Sequence, residues 1–196
     1  MIDLTDLQCR DFPAKMLDWG AMLKPALGGV TQKIDRLGTR FAIAFETPEL
    51  PIEPDGRIAI ARLQEAKQLG GRVRYYQDGF TVGAPGNPLV NGAHTGGKSL
   101  AVKSGTPWYV VRHGQALSLT VSGRSYLYFS AGQAQLNGSG SGTILLTTPM
   151  RKHLAGNEAV NLRAPVIEGW LDGDEQEWAV SLDRRVPLKF SIEERA

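Results

Sequence analysis

The sequence has little of what disulfide-stabilised, membrane-spanning or strongly basic proteins depend on. Its single cysteine, Cys9, excludes an intramolecular disulfide framework and is compatible with a reducing compartment. The formal net charge of +2 is too small to indicate nucleic-acid binding by itself. No stretch approaches the ~20 apolar residues of a membrane span, and the N-terminal segment carries acids where a signal peptide carries bases. These features predict a protein made and folded in a cytoplasm.

Residues that commonly carry chemistry are also sparse. The three histidines, His94, His113 and His153, have no metal-ligand spacing, and the G-x-S-x-G nucleophile motif is missing. The acidic cluster DGDEQE at 172–177 does not match the spacing of a calcium-binding loop and is typical of a solvated turn. The sequence therefore predicts no metal site and no enzymatic activity.

One segment does match a functional motif. Residues 92–99, GAHTGGKS, fit the phosphate-binding pattern G-x-x-x-x-G-K-[ST] through Gly92, Gly97, Lys98 and Ser99. Such a loop needs a buried strand before it and a helix after it. Here a proline-interrupted segment precedes the loop, and Gly105 and Pro107 stop any helix that follows. We interpret the match as a coincidence and predict a loop followed by a strand, with no bound nucleotide cofactor.

The 23 glycines and 11 prolines are spread along the chain and separate short segments with strand periodicity, which predicts a mainly β protein. Apolar residues alternate in RFAIAFE (40–46), and the preceding segment is expected to pair with it through a turn at Gly38. ALSLTVSG and SYLYFSAG are expected to form a hairpin across the turn at 122–125. Near the C-terminus Val186, Leu188, Phe190 and Ile192 alternate with polar residues, which predicts a docked strand.

A single helix is predicted at about 55–69. Asp55 is the expected N-cap, and the pair Gly70–Gly71 provides the stop signal. Ile58, Ala59, Leu63, Ala66 and Leu69 fall on one arc of this helix, which Arg62 interrupts. Two interpretations stay open: Arg62 extends its charged end to water from an amphipathic helix, or it marks a contact with a second subunit.

The stretch that contains the phosphate-loop match also carries a family resemblance. GNPLVNGAHTGGKSLAV, then Trp108, Gly114–Gln115, the tyrosine-containing strand 126–129 and the P-x-R phrase 149–151 resemble the central part of distal tail and related minor tail proteins of long-tailed bacteriophages. His94 stands where a polar glutamine is usual. The strand, helix and strand of the first half and the closing LKFSIEE are similar as well, so the resemblance covers about residues 28–196.

The resemblance implies a structural virion protein that forms a ring, commonly of six copies, at the distal end of the tail. Such a ring joins the tail tube to the baseplate hub or tip, and DNA passes through its lumen. The expected fold is mainly β with one α-helix. A β-sandwich-like domain comprises 1–87 and 168–196, and a small β-barrel-like insert comprises 88–167. Closed rings use heterologous interfaces, for which Arg62 is a candidate residue.

Two other functions remain to be weighed. A carbohydrate-binding β-module of a phage receptor-binding apparatus is the main alternative, and it requires several aromatic side chains on one face with polar residues around them. The four tryptophans, scattered singly between turns, are more typical of core or interface anchors. An enzyme is the weaker alternative, because no set of nucleophile, base and metal ligands is visible.

Overall fold

The computed structural model describes residues 1–34, 36, 38–173 and 178–195. Strands account for 43% of the residues, and a single helix accompanies them in this described part, so the prediction of a mainly β fold with one helix is confirmed. The strands are β1 (Ile2–Asp3), β2 (Arg10–Leu17), β3 (Ala21–Leu23), β4 (Gln32–Ile34), β5 (Arg40–Glu46), β6 (Leu50–Pro51), β7 (Gly71–Arg74), β8 (Gly86–Val90), β9 (Ser99–Gly105), β10 (Val110–Val111), β11 (Ala116–Val121), β12 (Arg124–Phe129), β13 (Ala134–Gln135), β14 (Gly142–Leu145), β15 (Ala159–Asn161), β16 (Val166–Leu171), β17 (Arg185–Val186) and β18 (Lys189–Glu194). The helix, α1, spans Arg57–Leu69 and is preceded by a π-helical turn at Ile52–Gly56.

The first six-stranded sheet has the order β1-β7-β16-β18-β5-β2. All neighbouring strands are antiparallel except β1 and β7, which run parallel. The C-terminal strand β18 lies inside this sheet between β16 and β5, so the predicted docked strand is confirmed. The apolar side chains of β18 and of the segment just before it join the alternating apolar residues of β5 in one core; the buried set is Phe41, Ile43, Phe45, Val186, Leu188, Phe190 and Ile192.

Helix α1 packs on this sheet through its small and branched side chains Ala59, Leu63 and Ala66, which are buried. The helix ends as predicted: Gly70 has a φ of +78°, and its N–H donates to the Ala66 carbonyl at 2.8 Å. The predicted N-cap is wrong. The π-helical turn already includes Asp55, and Gly56 occupies the cap position without any side-chain hydrogen bond.

The second six-stranded sheet is antiparallel and has the order β12-β11-β15-β8-β9-β14. A bridge between Ser130 and Leu146 joins the ends of its two outer strands, so the sheet closes on itself around a separate apolar core. The predicted hairpin is present as β11 and β12. Its turn residues Ser122 and Gly123 both have positive φ, as a tight two-residue hairpin turn requires.

The predicted partner of β5 is wrong. The segment before it forms a separate hairpin, in which β3 pairs with β4, while β5 pairs with β2 and β18. Alternation of apolar residues identifies a strand but carries no information on its neighbours in the sheet, which here come from distant parts of the chain. The first sheet takes its strands from 2–74 and 166–194 and the second from 86–161, so β8 and β16 straddle the domain limits expected at 87/88 and 167/168.

Candidate interaction surfaces

The segment that matches the phosphate-binding motif is a loop between strands β8 and β9. Ser99 is the first residue of β9, so the chain leaves the loop as a strand and presents no helix N-terminus to a phosphate. The carbonyls of Gly97 and Lys98 accept hydrogen bonds from the N–H groups of Met150 and Leu146, at 2.8 and 2.7 Å. These bonds fix the loop against residues 146–150, and Gly92, Gly97, Lys98 and Ser99 all lie exposed at the surface.

His94 forms an antiparallel bridge with Leu154, and His113 lies in a turn before β11. In the part of the chain that the structure describes, no group of three or more His, Cys, Asp or Glu side chains is arranged to hold a metal ion. Most of the acidic cluster at 172–177, namely 174–177, lies outside the described residues. Over the same described part, no helix has the length and apolar character needed to cross a bilayer.

A buried ionic cluster joins the two sheets, and the sequence analysis missed it. Strand β12 is an outer strand, and its N–H groups at Ser125 and Leu127 donate to the carboxylates of Glu168 and Glu194, at 3.1 and 2.7 Å. Glu194 also accepts from the Phe41 N–H and from the guanidinium of Arg151. These carboxylates therefore satisfy backbone donors that have no strand partner on that side.

Arg151 is the cationic part of this cluster. Its side chain is 3% exposed, and its guanidinium donates to the Leu127 carbonyl at 2.6 Å and lies over the ring of Tyr128. Burial disfavours the charged guanidinium, but the attraction and hydrogen bonds of Glu194 outweigh this and keep the pKa of Arg151 above its ordinary value. The sequence did contain a sign that Glu194 is buried. It lies two and four residues after the inward-facing Ile192 and Phe190, so the alternation of a strand places its side chain on the same face.

Arg62 pairs within its own chain. Its guanidinium donates to Asp6 at 2.7 Å, and this pairing raises the pKa of Arg62 above its usual value. The pair is partly solvated, with side-chain exposures of 38% and 63%. It lies at the rim of a groove of about 400 Å³ whose apolar walls include Leu7, Leu50 and Ile58. Arg62 is therefore accessible at a surface that combines apolar and charged groups.

Several exposed apolar side chains lie on a hairpin that we call the arm, residues 20–34, formed by β3 and β4. These two strands pair only with each other among the described residues. At the base of the arm Asp18 pairs with Lys33 at 3.3 Å, and the Arg40 guanidinium lies over the ring of Trp19. Large apolar side chains along the arm are solvent-exposed: Met22 by 65%, Leu23 by 52%, Leu27 by 100% and Val30 by 85%.

No family model matches this chain. No curated protein matches it with significance either.

Proposed function

We propose that this chain is a structural virion protein, a distal tail or baseplate adaptor subunit of a long-tailed bacteriophage. In this proposal about six copies form a ring that joins the tail tube to the tail tip or hub, with DNA passing through the lumen. Assembly takes place in the host cytoplasm and leaves the protein in the virion. Two things support the proposal: the resemblance of residues 28–196 to such proteins, and the exposed apolar arm.

The arm is the observation that carries the proposal. A two-stranded hairpin is at best marginally stable alone in water, and its exposed leucine and valine side chains gain nothing from solvent. Several large apolar side chains exposed on one short hairpin are typical of a protein–protein interaction site. A subunit that works through such a surface, and not through an enclosed reactive site, fits a part of a larger assembly.

A closed ring needs two different surfaces on each subunit, because the contact between neighbours is heterologous. The arm supplies one surface. The groove beside α1, with Arg62 and Asp6 at its rim and Leu50 and Ile58 in its walls, supplies a candidate for the other. An arginine at such a rim is able to exchange its own-chain carboxylate for one of the neighbouring subunit.

The test is the mass of the purified particle, measured by mass photometry, together with the presence of the chain in purified tails. Six copies of the 21.3 kDa chain give about 128 kDa. Leu27→Asp and Val30→Asp should reduce the particle to single subunits, because each places a charge where an apolar contact is needed. Leu182→Asp is the control, since Leu182 is equally exposed outside the arm. A chain that is absent from tails and stays a single subunit would refute the assignment.

The alternative, a carbohydrate-binding module, has a separate observation in its favour, a cleft of aromatic and charged side chains at the junction of the two sheets. That cleft is compatible with a structural role.

A further inference from the structure

Two β-turns face each other across a cleft of about 430 Å³. The first spans 77–80 and is closed by the Phe80 N–H, which donates to the Gln77 carbonyl at 3.1 Å, with Gly79 at a φ of +74°. The second spans 112–115 and is closed by the Gln115 N–H, which donates to the Arg112 carbonyl, also at 3.1 Å. Both turns are short and closed by their own hydrogen bonds, so the cleft is largely preformed.

The side-chain amides of one half-buried and one buried glutamine fix the turns further. Gln77 accepts a hydrogen bond from the N–H of Ala116 at 2.7 Å and thereby ties the first turn to the start of β11. Gln115, only 2% exposed, accepts from the Arg112 N–H at 3.0 Å and donates to the Tyr109 hydroxyl at 2.9 Å. Because these amides are engaged in positioning the backbone, ligand contacts fall to the other side chains of the cleft.

The wall of the cleft is aromatic. Tyr75, Tyr76 and Phe80 line it and are half-buried. Tyr75 packs edge-on against Phe129 with 5.5 Å between ring centroids, and the Tyr76 hydroxyl donates to the Leu7 carbonyl at 3.0 Å. These contacts hold the rings of Tyr75 and Tyr76 in place. A carbohydrate site requires several aromatic side chains on one face, and the cleft has them. The singly scattered tryptophans of the sequence did not predict this cluster.

The rim of the cleft carries charges of both signs. Asp78 lies on the first turn, and Arg112 and His113 lie on the second, all three exposed. Over the described ranges, 1–34, 36, 38–173 and 178–195, neither Asp78 nor Arg112 forms an ion pair. A carboxylate that only accepts hydrogen bonds and a guanidinium that only donates them are thus both available to one ligand.

We infer that this cleft binds a saccharide, with one pyranose ring against Tyr75, Tyr76 and Phe80 and its hydroxyl groups between Asp78 and Arg112. Each sugar hydroxyl both donates and accepts, which matches the acceptor on one turn and the donors on the other. The C–H face of a pyranose is apolar and suits an aromatic wall. A phosphate or other simple anion fits less well because Asp78 would oppose its charge, and a purely apolar ligand would leave the charged rim without partners.

The inference does not depend on the tail assignment. The test is saturation-transfer-difference NMR on the full chain with D-glucose, D-galactose, N-acetyl-D-glucosamine and L-rhamnose, followed by titration of the sugars that give a signal. At least one sugar should bind, with a dissociation constant in the range of about 1 mM typical of a small, open site. Asp78→Ala and Arg112→Ala should each weaken it by about tenfold, because each removes a hydrogen-bonding partner.

Asp183→Ala and Arg124→Ala are matched controls, because they remove exposed charges of the same kind outside the cleft and should leave binding unchanged. Circular dichroism of each variant checks that the fold is intact. The inference is overturned if no sugar gives a signal, or if the Asp78 and Arg112 variants bind as well as the parent. Loss of sugar binding with an unchanged particle mass would separate this site from the proposed ring.

Discussion

The guanidinium of Arg151 donates to both carboxylate oxygens of Glu194, at 2.7 and 3.1 Å, where the two side chains are 3% and 1% exposed. This pair stands between the two sheets: Glu194 belongs to β18 of the first, and Arg151 follows β14 of the second. A buried pair of this kind is costly to desolvate, so its contribution to net stability is small, but the loss of one partner leaves an uncompensated charge in the interior. Removal of either member alone should therefore destabilise the contact between the two sheets.

Glu194→Gln should destabilise the fold by about 3–5 kcal/mol, because Arg151 is left buried without its counter-charge. The measurement is urea unfolding followed by tryptophan fluorescence. Glu193→Gln is the control on the same strand, since Glu193 pairs with Arg40 at a partly solvated site and its loss should cost about 0–1 kcal/mol. In the double variant Glu194→Gln with Arg151→Met the unpaired charge is gone, so the two losses should not add. Equal stability of the Glu194 and Glu193 variants would contradict this role.

Local patterns in the sequence were sufficient for several elements. The hairpin β11–β12, the helix and the alternating strands β5 and β18 were predicted because turn residues and periodicity act over a few neighbouring residues. The partners of β5 were not predictable in this way, because β2 and β18 reach it from opposite ends of the chain. The N-cap at Asp55 failed because the helical turn begins before that residue.

The interaction surfaces were less predictable than the fold. Arg62 stood out as a charge on an apolar arc, but nothing local indicated Asp6 as its partner. The cleft is formed by Tyr75, Phe80 and Arg112, which two separate turns bring together only when both sheets are in place. Nothing in the sequence distinguishes Met22 and Leu27 of the arm from core residues; their exposure became evident only from the structure, in which β3 and β4 pair with no other described strand.

The C-terminal strand should be indispensable for folding. Removal of residues 184–196 takes a strand out from between β16 and β5 and deletes four buried apolar side chains, each contributing about 1.5–3 kcal/mol. A typical total stability is about 5–15 kcal/mol, so the truncated chain should not fold.

A milder substitution tests the same strand without abolishing the fold. Ile192→Ala should cost about 2–5 kcal/mol in thermal or urea unfolding, because it leaves a cavity at a fully buried position. Lys189→Ala on the same strand is the control, since its side chain is 72% exposed. For the truncation of residues 184–196, a soluble chain with unchanged melting would show that this segment does not contribute to the core.

The motif at 92–99 should not bind nucleotides. The chain continues from Ser99 as strand β9. A phosphate-binding loop instead continues as a helix, whose N-terminus and loop N–H groups together bind the phosphates. Isothermal titration with ATP and GTP in the presence of Mg²⁺ should give no measurable heat for the parent or for Lys98→Ala. Micromolar, Mg²⁺-dependent binding by the parent that disappears in the variant would make this reading of the loop wrong.

The last prediction concerns assembly and distinguishes two similar arginines on α1. Arg62 pairs with Asp6 beside the apolar groove, whereas Arg57 pairs with Glu53 in an exposed i,i+4 pair. Both own-chain pairs are solvated and contribute little, so Arg62→Glu and Arg57→Glu should each leave the fold and its melting temperature nearly unchanged. On the ring proposal only the Arg62 variant should fail, because it leaves the carboxylate of the neighbouring subunit without its partner. Loss of one member of such an interfacial charge pair typically weakens the contact by about 2–5 kcal/mol at every joint. The measurement is complementation of a phage that lacks this chain, with tail completion followed by electron microscopy. Normal tails with Arg62→Glu would mean that Arg62 extends to solvent and takes no part in the ring, while failure of both variants alike would point to a defect of the helix itself.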